Sequence, residues 1–223
     1  MNVVIQCAKS KSGQRFRDAE GCPVTFVADP AVAPRGDWER YAHPDGFADD
    51  GRLWRQHVID YDRRAANEYG LSPAYRLYTH PTYRNLVKHY GLEHIFILSA
   101  GWGLIPASFP TPYYDITFSA NKNVDKWAVR GRDIRFEDLC CLPADIEDPL
   151  VFLGGKAYLE LFAKLVRRYG GPKIVVYSSQ ERPVLDQEFA TVRYPGNKRT
   201  NWHYACAKDM IAGAFDPVRL AGL

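Results

Sequence analysis

His94-Ile95-Phe96-Ile97-Leu98-Ser99-Ala100-Gly101-Trp102-Gly103-Leu104 is the stretch on which the fold turns. Residues 94–98 read as a strand with no alternation of polar and apolar positions, so both of its faces are covered. The small residues that follow make a tight turn at the carboxyl end of that strand.

The same grammar recurs on either side. Leu150 to Leu153 is an apolar strand that enters Gly154-Gly155-Lys156 and then a helix to about Arg168, and Lys173 to Tyr177 is a further strand. At the start of the chain, the β-branched run Asn2 to Gln6 is a strand that ends in the polar loop Cys7-Ala8-Lys9-Ser10-Lys11. Helical spacing marks Leu53 to Tyr69, closed by Gly70, then Tyr83 to Tyr90, closed by Gly91, and finally Trp202 to Ala212. Doubly covered strands alternating with helices predict a single α/β domain over residues 1–223, with a mainly parallel central sheet flanked by helices. Residues 20–52, with Pro23, Pro30, Pro34 and Pro44 among many Gly and Asp, read as an irregular insertion without a strand.

Composition agrees with a folded domain: of 223 residues, 46% are hydrophobic and 25% charged, which excludes a disordered or fibrous chain. No stretch approaches the roughly 20 apolar residues that cross a bilayer, and no export signal is seen, so no membrane association and a cytoplasmic location are expected. The five cysteines are odd in number and lack paired C-x-x-C spacing, so neither disulfides nor a structural zinc are expected. The six histidines show no H-E-x-x-H spacing, and no metal or other cofactor is expected.

The net charge of +3 says little about partners, but its distribution is uneven. Met1 to Arg17 and Arg193 to Lys208 are basic and contain no acid, whereas Arg35 to Asp62 holds seven acids against four bases. The two basic segments either meet on one face, where they would grip a phosphate backbone, or are separate solvated loops.

Four segments carry possible chemistry, and ligands of such sheets bind at the carboxyl ends of the strands. Lys9 and Lys11 place two ammonium groups where an anion would sit, unless they are simply a lysine-rich surface loop. Gly154, Gly155 and Lys156, between strand and helix, can present backbone N–H groups to a phosphate, or make only a tight turn. Thr111-Pro112-Tyr113-Tyr114-Asp115 sets one carboxylate beside two phenols. The rings can stack on a base and the carboxylate can stabilise charge at a sugar C1′, although a turn aspartate has the same signature. Asn197, Lys198, Arg199, Asn201 and His203 surround Trp202 with amides and cations suited to DNA, while Asn201 equally suits the cap of the last helix and His203 a structural place.

Several of these blocks together resemble the bacterial YaaA-like superfamily. The likeness is carried by Val3 to Lys11, then Ala74-Tyr75-Arg76-Leu77-Tyr78-Thr79, then Ile97-Leu98-Ser99-Ala100-Gly101-Trp102-Gly103-Leu104-Ile105, then Pro112 to Asp115, and last Gly154-Gly155-Lys156-Ala157-Tyr158. The Leu-Ser-Ala block is the specific part. The extra tyrosine before Asp115 and the long insertion depart from the pattern.

The resemblance implies association with DNA, since members of the superfamily bind DNA and similar proteins occur beside phage-defence and base-modification genes. On that basis the expected activity is that of a DNA N-glycosylase. It would hydrolyse the N-glycosidic bond of a modified base in phage DNA, glucosylated hydroxymethylcytosine above all, and leave abasic sites. Asp115 is the expected catalytic group. Lys9, Ser99, Gly101, Trp102, Tyr113, Tyr114, Gly155, Lys156 and Tyr158 are expected to line the substrate site. Lys11, Arg15, Asn197, Lys198, Arg199, Asn201 and His203 are expected to touch DNA. A DNA-binding stress protein without catalysis and an enzyme of free modified nucleotides are the alternatives.

Overall fold

The β-branched run Asn2–Gln6 forms β1, the central strand of a seven-stranded sheet in a computed structural model of the chain. The structure describes residues 1–34, 36, 38–64, 66–120, 122–131, 133–143, 146–196 and 200–223. After β1 come β2 (Phe16–Arg17), β3 (Pro23–Val27), β4 (Arg40–Ala42) and helix α1 (Trp54–Arg64). Strand β5 (Ser72–Pro73) and helices α2 (Ala74–Leu77) and α3 (Thr82–Tyr90) lead to β6 (Ile95–Ser99), β7 (Gly103–Pro106), β8 (Pro110–Thr111) and β9 (Tyr114–Asp115). The last part holds β10 (Leu139–Cys140), β11 (Leu150–Leu153), α4 (Lys156–Leu165), β12 (Lys173–Tyr177), β13 (Phe189–Arg193), α5 (Trp202–Ile211) and α6 (Pro217–Leu220).

The sheet order is β10-β7-β6-β1-β11-β12-β13. Five neighbouring strands, β6 to β13 through β1, run parallel, while β7 turns back antiparallel to β6 and takes β10 with it. The expected α/β domain with a mainly parallel sheet is therefore the architecture observed. Helix α4 packs on the sheet through Phe162, whose ring stacks 4.3 Å from Phe152 of β11. Helix α3 ends where expected, with Gly91 at φ 93° receiving the chain. Helix α1 stops at Arg64 rather than Tyr69, because Asn67 turns left-handed at φ 43° and the Tyr61 hydroxyl ties down Asn67 and the Tyr69 N–H, each at 2.8 Å.

The insertion is where the structure departs most from expectation. Residues 20–52 supply β3 and β4, which form a second small sheet with β2 and β9. Val24, Phe26 and Val27 are fully buried, so this segment is built into the core. The local pattern could not show it, because β3 pairs with residues about as far along as Asp115.

The turn after β6 joins the two sheets. Trp102 is fully buried, with its ring edge-on to Phe26 of β3 at 5.0 Å. Gly103 has φ +87°, and a Cβ there would collide with the backbone of Leu139. The carbonyls of Ala100 and Gly101 leave the strand ladder and need buried donors, while that of Trp102 accepts the Leu139 N–H of β10 at 3.0 Å. Arg55 supplies them to Gly101 at 3.1 Å and Trp102 at 3.3 Å, and Arg130 to Ala100 at 2.7 Å. Each guanidinium is neutralised by a two-pronged carboxylate, Asp45 for Arg55 and Asp138 for Arg130, the latter at 2.7 and 2.8 Å.

Asp138 is 1% exposed and its partner Arg130 10%. Asp138→Ala leaves a buried guanidinium without its counter-charge, and a loss of about 3 to 5 kcal/mol in urea-unfolding free energy is expected.

Candidate functional site

The loop after β1 is pinned before it reaches the site. Ser12 N donates to Leu77 O at 2.8 Å and Thr79 N to Ser10 O at 3.2 Å, so residues 10–12 lie along residues 77–79. This fixes Lys11, whose ammonium donates to Lys9 O at 3.2 Å and sits 4.4 Å above the ring of Tyr114.

Beneath Lys11 is a buried hydroxyl cluster. Ser99 Oγ accepts the N–H groups of Gly101 at 3.2 Å and Trp102 at 3.1 Å, and donates to the Tyr114 hydroxyl at 2.9 Å. The Tyr114 and Tyr78 hydroxyls share a hydrogen bond of 2.7 Å, and Cys7 Sγ meets the Tyr158 hydroxyl at 3.2 Å. Burial pushes the phenols of Tyr78, Tyr114 and Tyr158 well above their usual range, so all three stay protonated.

Strand alternation separates this interior layer from an outer one. In the small sheet, Phe26 pairs with Tyr114 and with Ala42, and these three face the core. Thr25 pairs with Tyr41 and Val27 with Asp115, so Tyr41 and Asp115 share the opposite face, on either side of β3. Tyr113 is half-buried beside Asp115, with the guanidinium of Arg15 4.8 Å above its ring. Arg15 donates to Glu39 at 2.9 Å and Thr25 at 2.7 Å. The ring of Trp127 lies 5.6 Å from that of Tyr41.

Asp115 itself is half-buried, and its carboxylate makes no hydrogen bond or ion pair with the other described residues. Its charge nevertheless reaches its neighbours. Loss of hydration lowers the basicity of Lys11, and the nearby Lys9 adds to this while Cys7 and Asp115 oppose it. Desolvation and then Asp115 raise the phenol of Tyr113. Tyr41 is raised by desolvation first and Glu39 second, with a smaller push from Asp115.

The structure thus brings Lys9, Lys11, Arg15, Tyr113 and Asp115 into one neighbourhood, with Ser99, Tyr114 and Tyr158 buried beneath it. Four expectations need correcting. Trp102 and Tyr114 are fully buried and cannot wall a base pocket, and Gly101 is buried with them. The Gly155 N–H is already bonded to Gln6 Oε1 at 2.6 Å, which fills the expected phosphate cradle, while Lys156 is exposed beside it. His203 is 3% exposed and packs 4.1 Å from the Tyr204 ring, so it does not face a DNA surface. Asn201 occupies the N-cap of α5 in a left-handed conformation, φ 59°, without a capping hydrogen bond, and its side chain is exposed. Asn197, Lys198 and Arg199 lie outside the described residues.

Sequence reasoning missed Glu39, Tyr41 and Trp127. The alternation of Glu39 and Tyr41 about Arg40 was a strand signal, masked by the surrounding Pro, Gly and Asp. Two open hollows lie elsewhere: one of about 210 Å³ bordered by Phe16, Trp54 and Tyr69, the other of about 350 Å³ bordered by Asn85, Lys88 and Lys208. Among the described residues, no group of three or more His, Cys, Asp or Glu is placed to hold a metal ion, and no helix is long and apolar enough to cross a membrane.

No protein-family model, curated protein or solved structure matches the chain.

Two outcomes are expected from this geometry. Ser99→Ala removes the acceptor of two buried N–H groups, and a loss of about 1 to 3 kcal/mol in unfolding free energy should follow. His203 is held neutral by burial, its pKa lowered from 6.5 to about 4. The unfolded imidazole therefore binds its proton first, and stability falls as pH drops from 6.5 through about 4. Denaturant titrations at neutral pH and near pH 4 should show a part of this loss, on the order of 3 kcal/mol, that disappears in His203→Gln.

Proposed function

We propose that the protein is a DNA N-glycosylase that removes a modified base, with glucosylated hydroxymethylcytosine in phage DNA as the foremost substrate. The observation that carries the reading is the free, half-buried carboxylate of Asp115, set among cations and half-exposed rings at the carboxyl end of the sheet. A carboxylate kept for structure normally has its oxygens satisfied, as those of Asp45 and Asp138 are.

In this reading the nucleotide leaves the stack and its base enters between Tyr113 and the Tyr41 and Trp127 rings. As the glycosidic bond breaks, positive charge grows on C1′ and the ring oxygen, and Asp115 faces that charge or holds the attacking water. Lys9 takes a flanking phosphate. Arg15, held by Glu39 and Thr25, fixes the position of Tyr113. The likeness of the Leu-Ser-Ala and Pro-Tyr-Tyr-Asp blocks to the YaaA-like superfamily supports DNA as the polymer.

Incubation with phage DNA carrying glucosylated hydroxymethylcytosine should yield alkali-labile abasic sites and free modified base, and unmodified DNA should yield neither. Asp115→Asn should lower the excision rate by about a hundredfold or more while DNA binding persists. Tight binding without abasic sites on either DNA would overturn the reading in favour of a non-catalytic binding protein.

A further inference from the structure

Base excision leaves a deoxyribose whose ring-opened form carries an aldehyde at C1′, and an amine close to the excision site can react with it. Two lysines of the first loop lie near Asp115 and Tyr114. Lys9 is exposed, and its ammonium donates to Asn123 O at 3.2 Å. Lys11 is half-buried, pinned by the pairing of residues 10–12 with residues 77–79, and seated on the Tyr114 ring. It lies within electrostatic reach of Asp115 without forming an ion pair with it.

We propose that Lys11 is a nucleophile toward C1′ of an abasic site and that the protein is a lyase as well as a glycosylase, an inference that rests on the base-excision reading. Desolvation enlarges the neutral fraction of the Lys11 amine, the form that attacks a carbonyl. The amine nitrogen bonds to C1′, the carbonyl oxygen departs as water, and a protonated imine remains. Asp115 is the carboxylate in place to take a proton from C2′. The electrons of that C–H bond form the new double bond, the C3′–O bond breaks, and the 3′ phosphate leaves with its electron pair on the downstream strand. One water then hydrolyses the imine, freeing the unsaturated aldehyde on the upstream strand and restoring Lys11. No oxidant or reductant is consumed.

The test uses the full chain and a labelled duplex with a single abasic site made beforehand by removing uracil, with sodium cyanoborohydride present to reduce any imine. The expected result is a covalent protein–DNA adduct on a denaturing gel, mapped to Lys11 in the unaltered protein by peptide mass spectrometry and lost in Lys11→Gln. Without reductant, the strand should be cut at the abasic site. Absence of an adduct, or an adduct mapped to the Met1 amine or another lysine, would overturn the proposal. Because the abasic site is supplied ready-made, the two readings fail separately. Excision from modified phage DNA without an adduct removes Lys11 chemistry and leaves base excision standing. An adduct at Lys11 without excision of any modified base supports the lyase and removes the glycosylase.

Discussion

Two consecutive carbonyls, those of Ala100 and Gly101, turn away from the strand ladder inside the protein, and the requirement to satisfy them organises much of what surrounds the turn. The neighbouring Trp102 carbonyl has the Leu139 N–H of β10, but these two have no backbone donor, so two guanidiniums are brought into the core. Each then needs a carboxylate of its own, because an uncompensated buried charge costs far more than the hydrogen bonds return. Arg55 and Asp45 come from α1 and the insertion, Arg130 and Asp138 from the segment before β10. A single tight turn thus binds two distant parts of the chain, residues 45–55 and 130–138, to the carboxyl end of the central sheet.

The second ordering principle is the two-residue period of an extended chain. Tyr113, Tyr114 and Asp115 are consecutive, yet they serve different surroundings: Tyr114 joins the buried hydroxyl cluster, while Asp115 and Tyr113 stay half-buried near the surface. The buried phenols remain neutral and hydrogen-bonded to one another. A neutral layer beneath the Asp115 carboxylate, with no partner bonded to it, leaves its field less quenched than that of a paired carboxylate.

Much of the architecture was legible because it depends on local pattern. The apolar runs at Asn2–Gln6, residues 95–98, Leu150–Leu153 and Lys173–Tyr177 can be nothing but doubly covered strands, and Gly91 ends α3 where its spacing predicts. Asp115, Lys9 and Lys11 were legible as candidates because polar groups at strand ends are conspicuous. What could not be read depends on pairing at a distance. Whether Trp102 stacks on a ligand or on Phe26 is decided by where β3 lies, and β3 itself is hidden among prolines and glycines. Likewise, the Gly155 N–H looks free for a phosphate until Gln6, 149 positions earlier, is seen to occupy it. His203 suits either a DNA contact or a structural place in sequence, and it is a neutral core residue because α5 turns it inward.

The pairing of β3 with both β2 and β9 also bears on when Asp115 takes its place near the first loop. Strand β4 covers one edge of β3, while β2 covers only the first part of the other, at Pro23 and Val24, and the rest waits for Tyr114 and Asp115. During synthesis the insertion therefore emerges with a partly open edge that no nearby segment can close, and contacts of such long separation form late. The carboxylate arrives with the very strand that seals the small sheet. A chain still on the ribosome thus has its basic first loop well before it has Asp115, and the two come together only once the small sheet has closed.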